Sequence, residues 1–461
     1  MSADSVGATP RVDSRLVRVA GPTGPAPPPA PTRPRGIGPC VAYLVIEFAR
    51  PMAWVPVLGL IKPGMLVAFW GLGSVVFGRN RPPVPKPVKY MLGFLALMIW
   101  HVPWAMNNRW ALWGLEDFAI LLFGGVIPLA MIASDLASVR KLLTAYVALH
   151  VPMAAYGLLH QGFGQGGWLL DNNDLALALN AGLGVAVFLF LESASMVRRL
   201  WLSGAMALVV ACVVATTSRG GFVGLASLAM FVLVVSPWKR KLLVSACLAA
   251  GVVGVVVLAP PAFWNRIKTI ETAKNEGDTG FQRLYLWGMA CRMFVDHPVF
   301  GVGTNNYGIQ APFYEDTKYA DESGTHMWGR VPHSIYLTLI SEQGLVGTVL
   351  FALIVYWTFS TASKIRRRIR SDPHDRRAAA AEFYATGLLA GVVGVLVSGA
   401  FLTVLYYPVF WVLVALMAAL DRVTAPRAAT TGENTSSSRS FRRPRGRQSD
   451  GTSVVVAPGS R

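Results

Sequence analysis

The sequence predicts an all-α, polytopic integral membrane protein with about 12 transmembrane helices and one large loop. Two observations lead to this fold class. The 461 residues are 53% hydrophobic and only 14% charged, whereas soluble domains are about 25% charged. Apolar runs that approach the roughly 20 residues needed to cross a bilayer recur along the chain, and residues 261–332 form a long polar interruption among them.

The two ends of the chain are predicted to be disordered basic tails. Residues 1–38 are rich in Pro, Gly, Ala and Arg, and residues 422–461 are rich in Ser, Thr and Arg. Such compositions supply too little apolar surface for a packed core. Between the tails, segment 39–260 holds the first nine predicted spans and segment 333–421 the last three. The spans are approximately 39–61, 64–78, 88–106, 110–133, 140–160, 172–191, 200–217, 220–236, 241–260, 333–360, 381–402 and 405–421.

The distribution of charge predicts the orientation of these spans. A net charge of +18 is found in many nucleic-acid-binding proteins, but here the basic residues lie in the tails and in short connections between spans. When the N-terminal tail is placed in the cytoplasm, basic runs such as Arg198-Arg199 and Lys364–Arg370 fall on the cytoplasmic side, as the positive-inside rule requires. We therefore expect both termini in the cytoplasm, the 261–332 loop on the outer face, and no nucleic-acid partner.

Alternation of the spans brings four polar features to the outer face. They are the turn Asp171-Asn172-Asn173-Asp174, the segment TTSRGG around Arg219, the long loop, and His333. Arg219 is either an interfacial arginine that reaches the lipid headgroups or a bidentate partner for a diphosphate. The flanking glycines leave room for a ligand, and arginines are scarce on this face.

The loop contains a predicted amphipathic helix, FQRLYLWGMACRMFVDHP. Its apolar face, marked by Phe281, Leu284, Trp287, Cys291 and Phe294, is typical of a helix on the membrane surface. Arg283 and Trp287 lie one turn apart on this helix, so a ligand could contact a cation and an aromatic ring side by side. An exposed salt bridge is the alternative for Arg283.

The segment that follows contains a glycine-rich turn and a histidine at the start of a span. The GVGTNN sequence follows a helix rather than a strand, so a tight turn explains it better than a dinucleotide site. His333 begins the tenth span and is either an interfacial residue or a general base. Glu342 and Gln343 lie deeper in the same span, where ionisable residues need partners. The sequence shows no pattern of metal or cofactor ligands.

Four segments together resemble the bacterial O-antigen ligase and polymerase family over roughly residues 160–350: DNNDLALALN, TTSRGGFVGL, FQRLYLWGMACRMFVDHPVFGVGTNNY and PHSIYLTLISEQGLVG. That family shows an Asn-bearing start to a middle helix and a Ser-Arg-Gly motif at the outer end of another. It also shows an Arg-x-x-x-Trp helix followed by His-Pro-x-x-Gly-x-Gly, and His-[Asn/Ser]-x-Tyr after the large periplasmic loop. Ser334 stands where the family usually has Asn.

The resemblance implies a multi-pass enzyme of the bacterial inner membrane whose site faces the periplasm. Its donor would be an undecaprenyl-diphosphate-linked oligosaccharide, and no cofactor or metal would take part. By position, Arg219 and Arg283 would hold the diphosphate, Asn172, Asn173 and Trp287 would also bind substrate, and His333 would be the general base on the acceptor hydroxyl. The implied partners are a glycan acceptor, the lipid bilayer, a flippase and chain-length or export proteins.

A polymerase of O-antigen or exopolysaccharide repeat units is the favoured activity. An O-antigen ligase or a protein O-oligosaccharyltransferase is the alternative within the same chemistry. A transporter or flippase for lipid-linked sugars is the alternative of another class, although such proteins usually show internal repeats and charges at mid-membrane depth. A scaffold within a polysaccharide export complex is a third hypothesis.

Overall fold

The computed structural model describes residues 36–78, 82–236, 279–316, 327–370 and 376–425, and separate positions between 241 and 264. The regular secondary structure of these residues is helical. The predicted tails lie almost entirely outside this set, as do much of the predicted ninth span and the start of the long loop. The described residues up to Thr424 belong to one structural unit.

The longer helices follow the predicted spans within a few residues from α2 to α8. In chain order they are α1 (Gly38–Ala49), α2 (Pro63–Val76), α3 (Lys86–Trp104), α4 (Asn108–Ile132), α5 (Leu136–Leu159), α6 (Asn172–Glu192), α7 (Met196–Ala215), α8 (Arg219–Val235), α9 (Thr279–Asp296), α10 (Ile335–Arg370), α11 (Arg376–Gly399) and α12 (Pro408–Thr424). Short helical turns cover Pro51–Trp54, Pro56–Ile61, Tyr307–Gln310 and Ala311–Tyr314.

Within the described residues, six helices are long and apolar enough to cross a membrane by length and composition. These are α4, α5, α6, α7 and the portions Ile335–Arg368 of α10 and Arg377–Gly399 of α11. The chain is therefore an all-α, multi-pass membrane protein. The total of about 12 spans stays a prediction.

The predicted first span, 39–61, is broken at Ala49-Arg50-Pro51, where the sequence indicated that it could be two half-helices. Helix α1 ends at Ala49 with a π-helical turn, and Arg50 adopts a left-handed conformation with φ 43°. Pro51 follows, and its ring cannot continue the hydrogen-bonding pattern of a helix. The chain therefore changes direction at Arg50 and continues as the short turns Pro51–Trp54 and Pro56–Ile61.

Side-chain caps determine where the two helices near the candidate site begin. The Asp171 carboxylate accepts a hydrogen bond from the Asn173 backbone N–H at 2.7 Å, at the start of α6. The Ser218 hydroxyl accepts from the Gly221 N–H at 3.0 Å, at the start of α8. Each cap satisfies an amide that the first turn of a helix leaves unpaired.

Two helices form the centre of the bundle. Helix α6 is buried along almost its whole length and packs against α5, α7, α8 and α11. A Cβ atom at Gly184 of α6 would lie 2.6 Å from the Gly391 nitrogen of α11, so small residues allow these two backbones to approach closely. Helix α12 is also enclosed, since every residue from Pro408 to Leu420 is buried.

Helix α10 is interrupted in its first half. Gly344 has φ 59° and ψ −160°, which is outside the helical region. The interruption leaves backbone N–H and C=O groups of Ser341–Val346 without partners inside the helix. Backbone groups of segment 298–303 in the long loop form hydrogen bonds with them. The bonds are Val302 N–H to Ser341 O (2.8 Å), Gly303 N–H to Glu342 O (3.1 Å), Leu345 N–H to Pro298 O (2.8 Å) and Val346 N–H to Val299 O (3.1 Å).

Candidate functional site

The Asp171–Asp174 turn and the TTSRGG segment are joined by side-chain amides. The Asn173 carbonyl oxygen accepts a hydrogen bond from the Ser218 hydroxyl at 2.6 Å. The Asn172 amide donates to the Thr216 carbonyl at 2.9 Å. We call this the DNND junction. Asn172 and Asn173, which we predicted as substrate-binding residues, thus have protein partners, and they position the segment that precedes Arg219.

The backbone around His333 is fixed by contacts from two other elements. The Trp287 indole N–H of α9 donates to the Pro332 carbonyl at 2.8 Å. The Thr403 hydroxyl, in the α11–α12 connection, accepts from the His333 N–H at 2.9 Å. His333 itself has φ 47°, a left-handed conformation in which histidine occurs more often than most residues. Trp287 therefore holds the chain that carries His333.

The electrostatic surroundings of His333 favour a neutral imidazole. Burial lowers the pKa of His333 below its ordinary value, and the positive charge of Arg283 lowers this pKa further. Asp171 opposes the effect, and Arg330 adds a smaller lowering contribution. A neutral imidazole near pH 7 can accept a proton, which is the property that a general base needs.

The predicted site residues lie on neighbouring elements at one end of the bundle. Arg219 is the first residue of α8 and is partly buried. A Cβ atom at the next residue, Gly220, would lie 3.5 Å from the Phe401 Cβ in the α11–α12 connection. The same connection carries Thr403, the partner of His333. Arg283 and Asp171 are close enough to act on His333 electrostatically.

Glu342 is the buried acid that the sequence placed deep in the tenth span, and it has partners. One carboxylate oxygen accepts the Tyr307 N–H at 3.1 Å. The other accepts the Asn305 N–H at 3.0 Å and the Tyr406 hydroxyl at 2.7 Å. Together with the backbone bonds on either side of Gly344, these contacts form what we call the helix-break junction, between residues 298–307 and 341–346. The GVGTNN sequence is a tight turn, as predicted, with positive φ at Gly301, Gly303 and Asn305.

Helix α9 packs against the protein through a face that its periodicity did not single out. The buried residues are Leu286, Met289, Ala290 and Met293, which contact the cluster around Tyr307 and Met327. On the predicted apolar face, Leu284 and Cys291 are exposed and Trp287 is partly buried. In the described residues, the predicted apolar face is therefore more exposed than the face that packs against the protein.

Several residues that surround His333 were not selected from the sequence. Asp171 belongs to the DNND segment, and its position beside two predicted residues was a usable signal. Arg330 lies three residues before His333 in the same loop, which is a weaker signal. Thr403 lies in the apolar run FLTVLYY, and nothing in that run indicates a contact with His333.

The fold defines a multi-pass α-helical membrane protein in which Arg283 and Asp171 lie near His333. Residues 204–352 match the family model described as O-antigen ligase. This match confirms the resemblance to the O-antigen ligase and polymerase family over about a third of the chain, and it supports a role in glycan assembly. The matched segment contains Arg219, Arg283, Trp287 and His333, whereas Asn172 and Asn173 precede it. The chain matches no curated protein sequence.

Proposed function

We propose that the protein is a glycosyltransferase of polysaccharide assembly that transfers a glycan from a polyprenyl diphosphate to an acceptor hydroxyl. The observation that carries this proposal is the setting of His333. Its backbone is fixed by Trp287 and Thr403, and Arg283 is close enough to lower its pKa. A neutral base beside a cation fits a reaction that removes a proton from an alcohol and releases an anion.

In the proposed step, the acceptor oxygen attacks the anomeric carbon of the donor glycan. The new glycosidic C–O bond forms as the C–O bond to the diphosphate breaks, and the bonding electrons leave with the diphosphate. His333 takes the proton of the acceptor hydroxyl. Arg219 and Arg283 stabilise the charge of the departing undecaprenyl diphosphate through bidentate contacts.

The predicted topology places this reaction at the periplasmic face of the bacterial inner membrane, with both termini in the cytoplasm. We favour the polymerisation of lipid-linked repeat units, with a flippase that delivers them and chain-length or export proteins that act on the product. Transfer to a lipid or protein acceptor uses the same chemistry, and the O-antigen ligase description of residues 204–352 favours it as a second candidate.

Replacement of the proposed base tests the function most directly. In a deletion strain of the native host, we expect His333→Ala to reduce polymer at least about 100-fold, the lower limit for loss of general base catalysis. Gel analysis of the polysaccharide gives the readout, and immunoblotting of a tagged protein shows that the variant reaches the membrane. The matched control is His160→Ala, since His160 is exposed at the end of α5 and stacks on Tyr156. This control should make normal polymer.

Normal polymer from a membrane-located His333→Ala variant would disprove the assignment of the base. The transport alternative requires a separate measurement with purified protein and the lipid-linked repeat unit that accumulates in the deletion strain. A glycosyltransferase forms longer lipid-linked glycans in this assay. A flippase forms none, so an absence of new glycosidic bonds would favour that class.

A further inference from the structure

A cleft of about 290 Å³ opens beside the His333 backbone. This volume lies at the lower limit of ligand pockets, which span about 300–1,000 Å³, so the cleft suits one sugar ring better than a long oligosaccharide. Its walls come from the start of α4, the long loop, the first half of α10 and the α11–α12 connection. The lining residues are Trp110, Trp113, Asn305, Gly308, Gly329, Val331, Thr338, Glu342, Thr403 and Tyr406.

Aromatic rings form a large part of this cleft. Trp110 is partly buried, Trp113 is 46% exposed, and Trp328 from the loop places its ring 6.2 Å from that of Trp110. The Arg109 guanidinium lies over the outer ring, with its Cζ atom 4.8 Å from the Trp113 centroid. Aromatic rings provide rigid apolar surface. The C–H groups on one face of a sugar ring can pack against such a surface.

The described lining residues of this cleft include no arginine or lysine that could bind a diphosphate. Glu342 is the one charged side chain among its lining residues in the described chain, and a carboxylate repels phosphate. An ionised carboxylate offers about four acceptor positions. The Asn305 N–H, the Tyr307 N–H and the Tyr406 hydroxyl use three of them. Glu342 also lines the cleft, where its carboxyl group can meet a hydroxyl group of a ligand.

The cleft is adjacent to the proposed base. Thr403 lines it, and the same Thr403 hydroxyl accepts the His333 N–H at 2.9 Å. Val331, two residues before His333, lines it as well. A ring that occupied the cleft would therefore lie beside the base.

We propose that this cleft is the acceptor subsite, and that it holds a neutral sugar ring of the acceptor glycan by stacking on Trp110 and Trp113 and by a hydroxyl contact to Glu342. The inference rests on the proposed glycosyltransferase function and deepens it, because it assigns the acceptor to residues outside the cationic site. A larger cavity of about 420 Å³ is lined by Trp100, Trp104 and residues 297–303, and none of its described lining residues is acidic. It therefore serves as the comparison.

The test uses purified full-length protein and two probes from the deletion strain. The first probe is the lipid-linked repeat unit, which is the donor. The second is the free repeat-unit oligosaccharide released from it by mild acid, which lacks the diphosphate and reports on the acceptor subsite alone. Calorimetry gives the Kd of the free oligosaccharide, and transfer assays give its KM and kcat as an acceptor.

We expect Trp110→Ala to raise both the Kd and the acceptor KM about tenfold, with a smaller effect on kcat, and Trp110→Phe to restore most of the affinity. The Trp110 backbone contacts to Asn107 and Asn305 survive these changes. Trp113→Ala, at a more exposed position, should raise both constants severalfold and provides a second variant if Trp110→Ala does not fold. Trp104→Ala, at the comparison cavity, should leave both constants unchanged.

The outcomes separate this inference from the function on which it rests. If wild-type protein forms product and Trp110→Ala and Trp113→Ala keep the wild-type acceptor KM, the subsite is wrong and the function stands. If wild-type protein forms no glycosidic bond from the lipid-linked unit, the function itself fails. Arg283→Ala should keep the Kd of the free oligosaccharide, and a loss there equal to that of Trp110→Ala would show that the acceptor is not held separately from the cations.

Discussion

The DNND junction and the helix-break junction both bring distant segments together at the site, but they do so with different chemistry. Side chains hold the first, where Asn172 and Asn173 bond to the segment before Arg219. Backbone groups hold most of the second, where four N–H···O bonds join residues 298–303 to the interruption in α10. The one side chain at its centre, Glu342, is 4% exposed.

This difference teaches which kind of substitution each junction tolerates. A side-chain contact can be deleted while the backbone stays in place, and water can replace part of it. Paired backbones at close approach leave no space for a new atom, and a buried carboxylate cannot be removed without leaving its donors unpaired. We therefore expect the helix-break junction to be the more sensitive of the two.

The largest effect should come from a methyl group at Gly301. This residue has φ 73°, and a Cβ atom would lie 2.5 Å from the Glu342 carbonyl carbon. Strain and overlap with backbone together should cost more than about 3 kcal/mol. We expect Gly301→Ala to lower the midpoint of thermal unfolding in detergent sharply. The control is Gly204→Ala in α7, where a Cβ atom meets nothing within 4 Å. Equal midpoints for the two variants would contradict the importance of the backbone pairing.

A smaller effect should distinguish the central side chains of the two junctions. Glu342→Ala leaves the Asn305 and Tyr307 N–H groups and the Tyr406 hydroxyl without their acceptor, at about 1–3 kcal/mol for a buried group. Asn173→Ala removes the acceptor of Ser218 and should cost about 1 kcal/mol. Thermal unfolding of both variants gives the comparison. A greater loss for Asn173→Ala would reverse the proposed order of the two junctions.

The smallest effect should be a shift in the pH dependence of transfer. Because the base must be neutral, activity falls as the pH drops through the pKa of His333. Arg330 lowers this pKa and Asp171 raises it. We therefore expect Arg330→Gln to move the acidic limb of the kcat/KM profile to higher pH, and Asp171→Asn to move it to lower pH. Each shift should be less than about one pH unit, since both side chains are exposed and screened by solvent.

Opposite directions are the diagnostic feature of that pair. A loss of activity caused only by altered structure would lower the whole profile and leave its midpoint unchanged. Shifts in the same direction would show that His333 is not the group whose titration limits the reaction.

Much of the fold and part of the site could be predicted from the sequence. Hydrophobic runs predicted most of the helices, because a helix that crosses a bilayer needs a long apolar segment. Alternation of the spans indicated that the DNND turn and the TTSRGG segment share a face, and Asn173 and Ser218 are in contact. The Arg283 and His333 pair was predicted from the resemblance, and the two residues are close enough to interact.

The helix-break junction could not be predicted for a physical reason. Backbone pairing has no side-chain signature, so GVG and SEQG gave no sign that they bond to one another. Glycine also indicates a turn as readily as it indicates a close approach of two backbones. Trp110 and Trp113 were equally uninformative in sequence, since tryptophan at the end of a span usually indicates the membrane interface.

The acceptor cleft lies partly outside residues 204–352, and this position affects how acceptor specificity can change during evolution. The proposed base, both proposed diphosphate ligands and Glu342 lie inside that segment, but Trp110, Trp113, Thr403 and Tyr406 lie outside it. A change of acceptor can therefore arise in the flanking helices while the transfer chemistry stays intact. A protein engineer could use the same division to seek a changed acceptor, by exchanging the start of α4 while Thr403, which holds the His333 backbone, is kept.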